Sequence, residues 1–451
     1  MQVQCHAAGG PKPTNATTFP PLPPRGGRRS ESESTLPCCD CRKIPASGDL
    51  MGLYFSRVEL KNWRNFKTAD VALAHRVFLI GPNAAGKSNF LDVFRFLRDL
   101  VTEGGGLVSA CNSRARGGVG KIRSVYARNN PDIAIHVEVS STEDGQPRWR
   151  YELGFGTTSS KDDTPAVRRE AIYRWSEVDA SFVSMRQERP DRYDVDDPVR
   201  LRQTLIQQTS ENKDFRELAE FFQSVHYLHL VPQLVREGQD PVPGTIGLDP
   251  FGRDLLDRIR HTRKSTQEAR LKRIGEAVKL AVEPLENLGL TIDDKGRPHL
   301  QASFQHGRPG GAYQDERQFS DGTLRLVGLL WSLQEAGGPL LLEEPELSLH
   351  TAFVARLAPF IARAQKRSSG RQILLSTHSA GLLSDEGIGP DEIVLIRPAK
   401  AGAKAGEGSE AVSGASQAQI RSLMEAGLTA AEAALPRTEP AQAELFGRQP
   451  I

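Results

Sequence analysis

One stretch decides the fold: Gly81-Pro82-Asn83-Ala84-Ala85-Gly86-Lys87-Ser88. It fits the pattern G-x-x-x-x-G-K-S. An apolar run at 77–80 precedes it, and a helical pattern at 89–97 follows it. The two glycines let backbone N–H groups turn inward around an anion, and the helix adds unpaired N–H groups and a positive dipole end. The order of strand, glycine turn and helix therefore predicts a phosphate-binding loop.

Two side chains at the end of this loop carry the chemistry of phosphate binding. Lys87 supplies positive charge to the terminal phosphates, and Ser88 supplies a hydroxyl for Mg²⁺. Asn89 begins the helix and completes the predicted nucleotide-binding set. A nucleoside triphosphate such as ATP, bound with Mg²⁺, is therefore the expected ligand.

Composition and charge exclude some classes of binding partner and identify none. The chain has 451 residues and a formal charge of +2, and residues 1–50 alone carry six Lys/Arg and four Asp/Glu. Global charge therefore indicates no partner, and binding to nucleic acid would need a local basic patch. No apolar run in the sequence approaches the ~18 residues of a membrane span, so no membrane partner is expected. Four of the five cysteines lie in the first 50 residues, and Cys111 alone lies in the body, which favours a reducing cytoplasm.

The two ends of the chain differ from its middle. Residues 1–50 are rich in Pro, Gly, Ser and Arg without an apolar period, so a disordered N-terminal tail or an over-extended translation start before Met51 is expected. Residues 399–451 are rich in Ala, Gly and Glu and are expected to be a loosely ordered tail. The folded part is expected at 51–398, as a lobe at 51–232, an insert of helices and a hairpin at 233–318, and a second lobe at 319–398.

Two stretches are locally basic. Residues 112–128 hold five Lys/Arg and no acid, and they include Arg116. A solvated loop is one interpretation, and a contact with the phosphates of ATP or DNA is the other. The stretch Arg253–Arg273 holds eight Lys/Arg against three Asp/Glu, which is typical of a solvated helix face or of a nucleic-acid contact.

Carboxylates follow a buried strand pattern in the last third of the chain. The run Leu340–Leu342 is followed at once by Glu343 and Glu344. Acids are rarely buried without a partner, so this position favours a function over a capping turn, which is the alternative. Glu343 is placed to hold the Mg²⁺ shell, and Glu344 to orient or deprotonate the attacking water.

Two further motifs end near the same predicted sheet edge. His378 follows the apolar strand pattern at 372–376 and is placed to contact the γ-phosphate; a core histidine is the alternative. Ser320 and Gly322 lie at the start of a predicted helix, which is either an anion site or an ordinary N-cap. Because α/β sheets place their ligands at the carboxyl ends of the strands, these residues are expected to share one site.

The order of the motifs resembles that of ABC-type AAA ATPases of the RecF/SMC/OLD group. The resemblance covers about residues 51–398 and implies an α/β fold, a P-loop NTPase ABC-type head with an antiparallel β subdomain and a helical insert. The matching segments are Leu60–Phe66, Gly81–Ser88 as Walker A, Phe319–Thr323 as signature, Leu340–Glu346 as Walker B, Leu347–His350 as D-loop and Ser376–Ser379 as the switch histidine.

Two positions depart from the family pattern, and a third matches it only weakly. Glu343 stands where Walker B usually has aspartate, and Asp321 stands where transporter-type signatures have glycine. The Glu-Glu-Pro-Glu form is frequent in OLD-type ATPases, so metal binding is expected to survive. Gln233 resembles the Q-loop glutamine and is a candidate metal ligand by that resemblance.

Segment lengths separate the relatives. Residues 89–318 lie between Walker A and the signature, which leaves no room for the coiled coil that the resemblance implies for SMC-type proteins. Transporter ATPases have a much shorter insert. OLD nucleases carry a TOPRIM domain after the switch histidine, whereas residues 379–451 show no run of acidic strand ends. A stand-alone head without a nuclease in the same chain is therefore expected.

The resemblance also implies how such a head works. ATP lies between Walker A of one subunit and the signature of another, so one head per chain implies a homodimer that closes on ATP and opens on hydrolysis. The implied role is DNA repair or recombination, or anti-phage defence, with a separate nuclease or effector and with DNA as a further candidate partner. The energy-coupling subunit of a membrane transporter and a nucleotide-binding scaffold with little turnover are the alternatives.

Overall fold

Three β-sheets form the framework of the described part of the chain. The computed structural model describes residues 52–127, 132–159, 162–237, 249–280, 285–304, 312–367, 370–398 and 408–438. Two sheets have six strands and one has three. The tail expected at 1–50 lies outside the described residues. The strands are β1 (Leu53–Trp63), β2 (Phe66–Ala72), β3 (Arg76–Ile80), β4 (Ile133–Ser141), β5 (Pro147–Ser159), β6 (Asp162–Ser176), β7 (Ser181–Ser184), β8 (His226–Leu228), β9 (Leu285–Ile292), β10 (Pro298–Phe304), β11 (Ala312–Asp315), β12 (Leu340–Glu343), β13 (Ile373–Thr377), β14 (Ile393–Arg397) and β15 (Glu410–Ser413).

Helices cover the sheets and link their strands. None of the helices in the described ranges has the length and apolar character that crossing a membrane requires. They are α1 (Lys87–Val101), α2 (Leu107–Asn112), α3 (Val119–Ile122), α4 (Arg192–Asp196), α5 (Arg216–Gln223), α6 (Pro232–Glu237), α7 (Leu255–His261), α8 (Lys264–Lys279), α9 (Asp321–Gln334), α10 (Thr351–Val354), α11 (Leu357–Arg367), α12 (Ala380–Leu383), α13 (Ala418–Glu425) and α14 (Ala430–Ala434).

The central sheet carries the phosphate-binding loop. Its order is β15-β14-β3-β13-β12-β8, and all neighbours are parallel except the β14–β15 pair. Strand β3 is buried along its whole length, and its successive side chains face two different hydrophobic cores. A parallel strand covered on both faces is apolar throughout, which is why residues 77–80 do not alternate.

The strand register brings the motifs to one edge. Leu342 lies opposite Leu375, and Glu343 lies opposite Ser376. Thr377 in turn lies opposite Ile80, the last residue of β3. The loop after β3, the acids after β12 and the histidine after β13 therefore leave the sheet at the same level, at the carboxyl ends of their strands.

The second six-stranded sheet is antiparallel, in the order β2-β1-β4-β5-β6-β7. Its strand β4 alternates between buried and partly exposed residues, as a sheet with one covered face should. Strands β9, β10 and β11 form the small sheet, and the turn between β9 and β10 lies at residues 293–297, where a hairpin was expected. The antiparallel subdomain and the helical insert of the predicted fold are both present.

The expectation of a loose tail is wrong for residues 408–438. Strand β15 pairs with β14 and extends the central sheet, and α13 and α14 bury Ile420, Ala430, Ala433 and Ala434. Alanines pack closely between helices, yet they give a composition that resembles a linker, so the core contribution of this segment was hidden in the sequence. Residues 399–407 and 439–451 lie outside the described ranges.

Candidate nucleotide-binding site

The loop between β3 and α1 is held by two glycines that no other residue could replace without a shift. A Cβ atom on Gly81 would overlap the carbonyl oxygen of Ile396, because the loop passes directly beside β14. Gly86 has a φ of +116°, and a Cβ there would overlap the side chain of Asn65. The glycines thus permit the close packing at Gly81 and the left-handed turn at Gly86 that this loop requires.

Lys87 is buried in this loop with backbone partners. The residue is only 6% exposed, and its Nζ donates to the carbonyl oxygens of Gly81 (2.8 Å) and Pro82 (3.2 Å). Burial lowers the pKa of the Lys87 ammonium, while Glu344 and the neighbouring acids oppose that shift. Neutral carbonyls are weaker partners for an ammonium than charged oxygens are, so phosphate oxygens fit this position.

Ser88 and Glu343 meet although they are far apart in the sequence. The Ser88 hydroxyl donates to Oε1 of Glu343, and the hydroxyl of Tyr227 on β8 donates to Oε2 of the same carboxylate. Burial raises the pKa of the Tyr227 phenol well above its usual value, so it remains a donor. Mg²⁺ prefers oxygen ligands such as hydroxyl and carboxylate, so the pair fits a magnesium-bound triphosphate.

Glu344 and His378 lie beside each other, next to this pair. Nδ1 of His378 is 3.4 Å from Oε1 of Glu344, and the backbone N–H of Glu344 donates to the carbonyl of Ser376 (3.1 Å). Glu344 has a φ of +43°, which turns the chain sharply away from β12. Both side chains keep partial exposure, 23% for Glu344 and 48% for His378, so both remain accessible to a ligand.

A third acid, Glu346, is buried behind them. Its Oε1 accepts from the Thr377 hydroxyl at 2.5 Å, and its Oε2 is buried with no hydrogen-bond partner in the described part of the chain. Burial raises the pKa of the Glu346 carboxyl. The carboxylate of Glu346, near the carboxyl ends of β12 and β13, therefore has a described hydrogen bond to only one of its two oxygens.

The signature residues lie at the start of α9. Ser320 caps this helix by accepting from the Thr323 N–H (3.1 Å), and a Cβ on Gly322 would overlap the carbonyl oxygen of Ser348. Among the described contacts of Ser320 and Gly322, none is with the loop at 81–88. Ser320 thus caps α9 and is exposed, and its role in binding an anion stays a prediction.

Gln233 lies on α6 beside the signature. Its Nε2 donates to Oδ2 of Asp321 at 3.3 Å, and Arg236 from the same helix donates to Oδ1 of Asp321 at 2.6 Å. The described partner of Gln233 is therefore neither Ser88 nor Glu343. A metal-binding role for Gln233 requires its amide to leave Asp321, and it stays a prediction.

Hydrogen bonds of the Asn65 side chain hold the phosphate-binding loop, and we call them the loop clamp. The sequence did not predict them. Asn65 Nδ2 donates to the carbonyl of Ala85 (2.6 Å) and to the hydroxyl of Ser409 (2.7 Å), while its Oδ1 accepts from Asn89 (2.8 Å). The described partner of the Asn89 side chain is thus Asn65, and a nucleotide contact by Asn89 stays a prediction. The sequence feature that pointed to Asn65 was its position in the motif at 60–66. Its partner Ser409 lies in the segment that was expected to be a loosely ordered tail.

Arg116 fits neither interpretation of the basic stretch at 112–128, whereas the other described Lys/Arg residues of the stretch are exposed, as a solvated loop predicts. Its guanidinium is buried and donates to Asp92 Oδ1 (2.8 Å) and Asp99 Oδ2 (2.8 Å). These two acids lie about two turns apart on α1 and so share one face of the helix. Arg116 is therefore neither a solvated residue nor a phosphate ligand, and it anchors the loop after α2 to α1.

A family model matches most of the chain. Residues 76–384 match the family described as "AAA domain, putative AbiEii toxin, Type IV TA system", and this match spans more than half of the chain. The chain belongs to this AAA family. The predicted AAA membership is thereby confirmed, and the structure has the predicted α/β fold, with strand, glycine loop and helix in that order. No curated protein matches the sequence.

Solved SMC head domains align with this AAA chain at low identity. A head bound to the C-winged helix domain of ScpA is 15% identical with a TM-score of 0.48, covering 80% of this chain and 97% of its own. The head from Thermotoga maritima is 15% identical with a TM-score of 0.40, covering 80% and 98%. A head with an extended coiled coil, bound to the C-terminal domain of ScpA and derived from Pyrococcus furiosus, is 13% identical with a TM-score of 0.40, covering 83% and 100%.

Proposed function

We propose that this AAA head hydrolyses ATP with Mg²⁺ and uses ATP to close a homodimer. The observation that carries the proposal is the contact between Ser88 and Glu343, with Glu344 and His378 beside it. Phosphoryl transfer needs a phosphate cradle, a metal, a group that orients water and charge at the γ-phosphate. The loop, the acids and the histidine that lie at this edge can supply each of these.

Each residue has a separate task in this proposal. The loop N–H groups and Lys87 would bind the phosphates, and Ser88 and Glu343 would hold Mg²⁺, which would supply positive charge beside them. Glu344 orients or deprotonates the attacking water, and its partial exposure leaves room for that water. His378 contacts the γ-phosphate from the neighbouring strand end.

The signature supports a dimer. Ser320 and the Gly322 N–H stand at the N-terminus of a 14-residue helix, where anions are favoured, and their described contacts are with Thr323 and Ser348 instead of the loop. In the proposed dimer they contact the γ-phosphate that the other subunit binds. That contact exists only in the closed state, so ATP shifts the equilibrium toward closure.

The cellular role is proposed at the level of class. The resemblance favours DNA repair or recombination, or defence against foreign DNA, with a separate nuclease or effector and with DNA as a candidate partner. The matched family is described as a putative AbiEii toxin, which supports an action on a further cellular component.

Phosphate release from ATP tests the enzymatic part. The unsubstituted protein should release phosphate only with Mg²⁺, and Lys87→Ala should lose this activity because the phosphates lose their charged partner. Lys279→Ala, at an exposed position on α8, is the matched control and should keep full activity. Phosphate release by Lys87→Ala at the unsubstituted rate contradicts the assignment of the site.

A further inference from the structure

Strand register explains how Tyr227 reaches Glu343. Strands β8 and β12 are parallel, and Tyr227 lies opposite Leu341. Side chains alternate along a strand, so Glu343 lies on the same face as Leu341, two residues further on. A phenol is long enough to lean along the strand over that offset, and its hydroxyl donates to Oε2 of Glu343.

The ring of Tyr227 is itself fixed in place. The residue is 8% exposed, and the guanidinium carbon of Arg95 lies 5.2 Å from the ring centroid, within cation–π range. Arg95 belongs to α1, the helix that presents Ser88 at its N-terminal end. The tyrosine is thus packed between the strand that carries one predicted metal ligand and the helix that carries the other.

Both oxygens of the Glu343 carboxylate are therefore defined by named partners. Ser88 contacts Oε1, and Tyr227 contacts Oε2. A glutamate side chain has one more rotatable bond than an aspartate and loses more rotamer freedom when it is fixed. Hydrogen bonds to the ligating carboxylates of metal sites orient them and strengthen metal binding.

We propose that Tyr227 is a positioning residue for the metal site: its hydroxyl holds Oε2 of Glu343 so that Oε1 faces Ser88. The inference rests on the proposed function, because it takes Ser88 and Glu343 as the residues that hold Mg²⁺ with ATP. Tyr227 does not touch the nucleotide in this account. It acts on the metal through Glu343 alone.

Binding of Mn²⁺ tests the role without relying on turnover. Electron paramagnetic resonance measures the Mn²⁺ affinity of the full chain in the presence of the non-hydrolysable β,γ-imido analogue of ATP. Tyr227→Phe keeps the ring and its packing against Arg95 and removes the hydroxyl, so the affinity for Mn²⁺ should fall about tenfold. Tyr151→Phe is the matched control, because Tyr151 is buried and its hydroxyl donates to Glu170 (3.1 Å) outside the site. It should leave the affinity unchanged.

A second background separates positioning from general damage. The carboxylate of Glu343→Asp is about one C–C bond shorter, so it loses the contact with Tyr227. Mn²⁺ affinity should fall in Glu343→Asp, and adding Tyr227→Phe to it should change the affinity less than about twofold, because the coupling is already absent. A further tenfold loss in the double variant overturns the proposal.

The remaining outcomes are also decisive. Unchanged or tighter Mn²⁺ binding in Tyr227→Phe overturns the inference, and tighter binding would show that the hydroxyl competes with the metal for Glu343. These results leave the proposed function intact. If the unsubstituted chain binds no Mn²⁺ with the nucleotide analogue, the proposed function fails and this inference fails with it.

Discussion

Helix α1 carries two groups of charged residues, and the protein satisfies them to different degrees. Within the helix, Asp92 and Asp99 are buried against Arg116 with hydrogen bonds of 2.8 Å, and Arg98 also pairs with Asp99 at 2.8 Å. At its N-terminal end, Lys87 contacts only backbone carbonyls among its described hydrogen bonds. Charged residues on one helix, a few turns apart, thus differ in whether their described hydrogen-bond partners are charged or neutral.

The contrast separates structural from functional charge. The carboxylates of Asp92 and Asp99 and the guanidinium of Arg116 all have partners from the chain. Such a buried network fixes how its elements pack, because loss of one member leaves the others buried without a partner. The charged groups at the sheet edge are incompletely hydrogen-bonded. The ammonium of Lys87 has no carboxylate partner among its described hydrogen bonds, and Oε2 of Glu346 is buried without a partner in the described residues. Incomplete satisfaction at a strand edge is what a site for charged ligands should show.

Breaking the completed group should have the largest effect on stability. Asp99→Ala leaves Arg98 and Arg116 buried without this partner, and we expect it to lower the free energy of unfolding by about 3–5 kcal/mol. Urea denaturation measures the loss. The matched control is Asp70→Ala, which removes an exposed pair with Arg57 and should cost at most about 1 kcal/mol. Equal losses in the two variants contradict the distinction between the groups.

Loosening the loop clamp should have a smaller effect. Asn65→Ala removes the hydrogen bonds to Ala85, Asn89 and Ser409, so the loop is less ordered before the nucleotide binds. We expect ATP affinity to fall about tenfold, which corresponds to about 1.4 kcal/mol. Ser409→Ala removes one of these bonds and should cost less. Isothermal titration calorimetry compares the two, and a larger loss in Ser409→Ala would rule out Asn65 as the centre of the clamp.

Glu346 at the sheet edge and Asp92 in the network on α1 should respond to pH with opposite signs. Burial raises the pKa of Glu346, so its contribution to folding falls as the pH rises from the ordinary value of 4.5 toward the raised pKa. Glu346→Gln should therefore become more stable relative to the unsubstituted protein over that rise, by no more than the roughly 1–3 kcal/mol of one unsatisfied buried polar atom.

Asp92 provides the opposite case. Burial alone would raise its pKa, but Arg116 and Arg64 hold the pKa of Asp92 below its usual value. Its stabilising contribution is present above the unfolded pKa and is lost as the pH falls through the folded one. The stability difference between Asp92→Asn and the unsubstituted protein should therefore shrink in acid. The free energy of unfolding, measured across pH 3–8, tests both predictions. If the assignments are wrong, the curves of Glu346→Gln and Asp92→Asn each run parallel to that of the unsubstituted protein.

Local patterns in the sequence were sufficient to predict that several polar residues lie together at one edge of the central sheet. Strand, glycine loop and helix identified Lys87 and Ser88, and parallel strands end at one edge, so Glu343 and His378 could be expected there. The antiparallel sheet followed from alternation along its strands. These inferences depend on periods and faces, which neighbouring residues determine.

The contacts that were missed depend on register and on distant partners. Tyr227 meets Glu343 only because β8 lies next to β12 in one register, and no local pattern fixes that pairing. Asn65 finds Ser409 across 344 residues of sequence, from a segment whose alanines resemble a linker. Arg116 was misread because its acidic partners lie on one helix face rather than beside it in sequence.

The central claim is that ATP closes a dimer through the signature, and light scattering after size-exclusion chromatography tests it directly. Glu344→Gln keeps the shape of the side chain and loses the base, so with Mg²⁺ and ATP it should elute at the mass of a dimer. Ser320→Arg should stay monomeric under the same conditions. Without ATP both should be monomers. A monomeric Glu344→Gln in ATP, or a dimeric Ser320→Arg, contradicts the account.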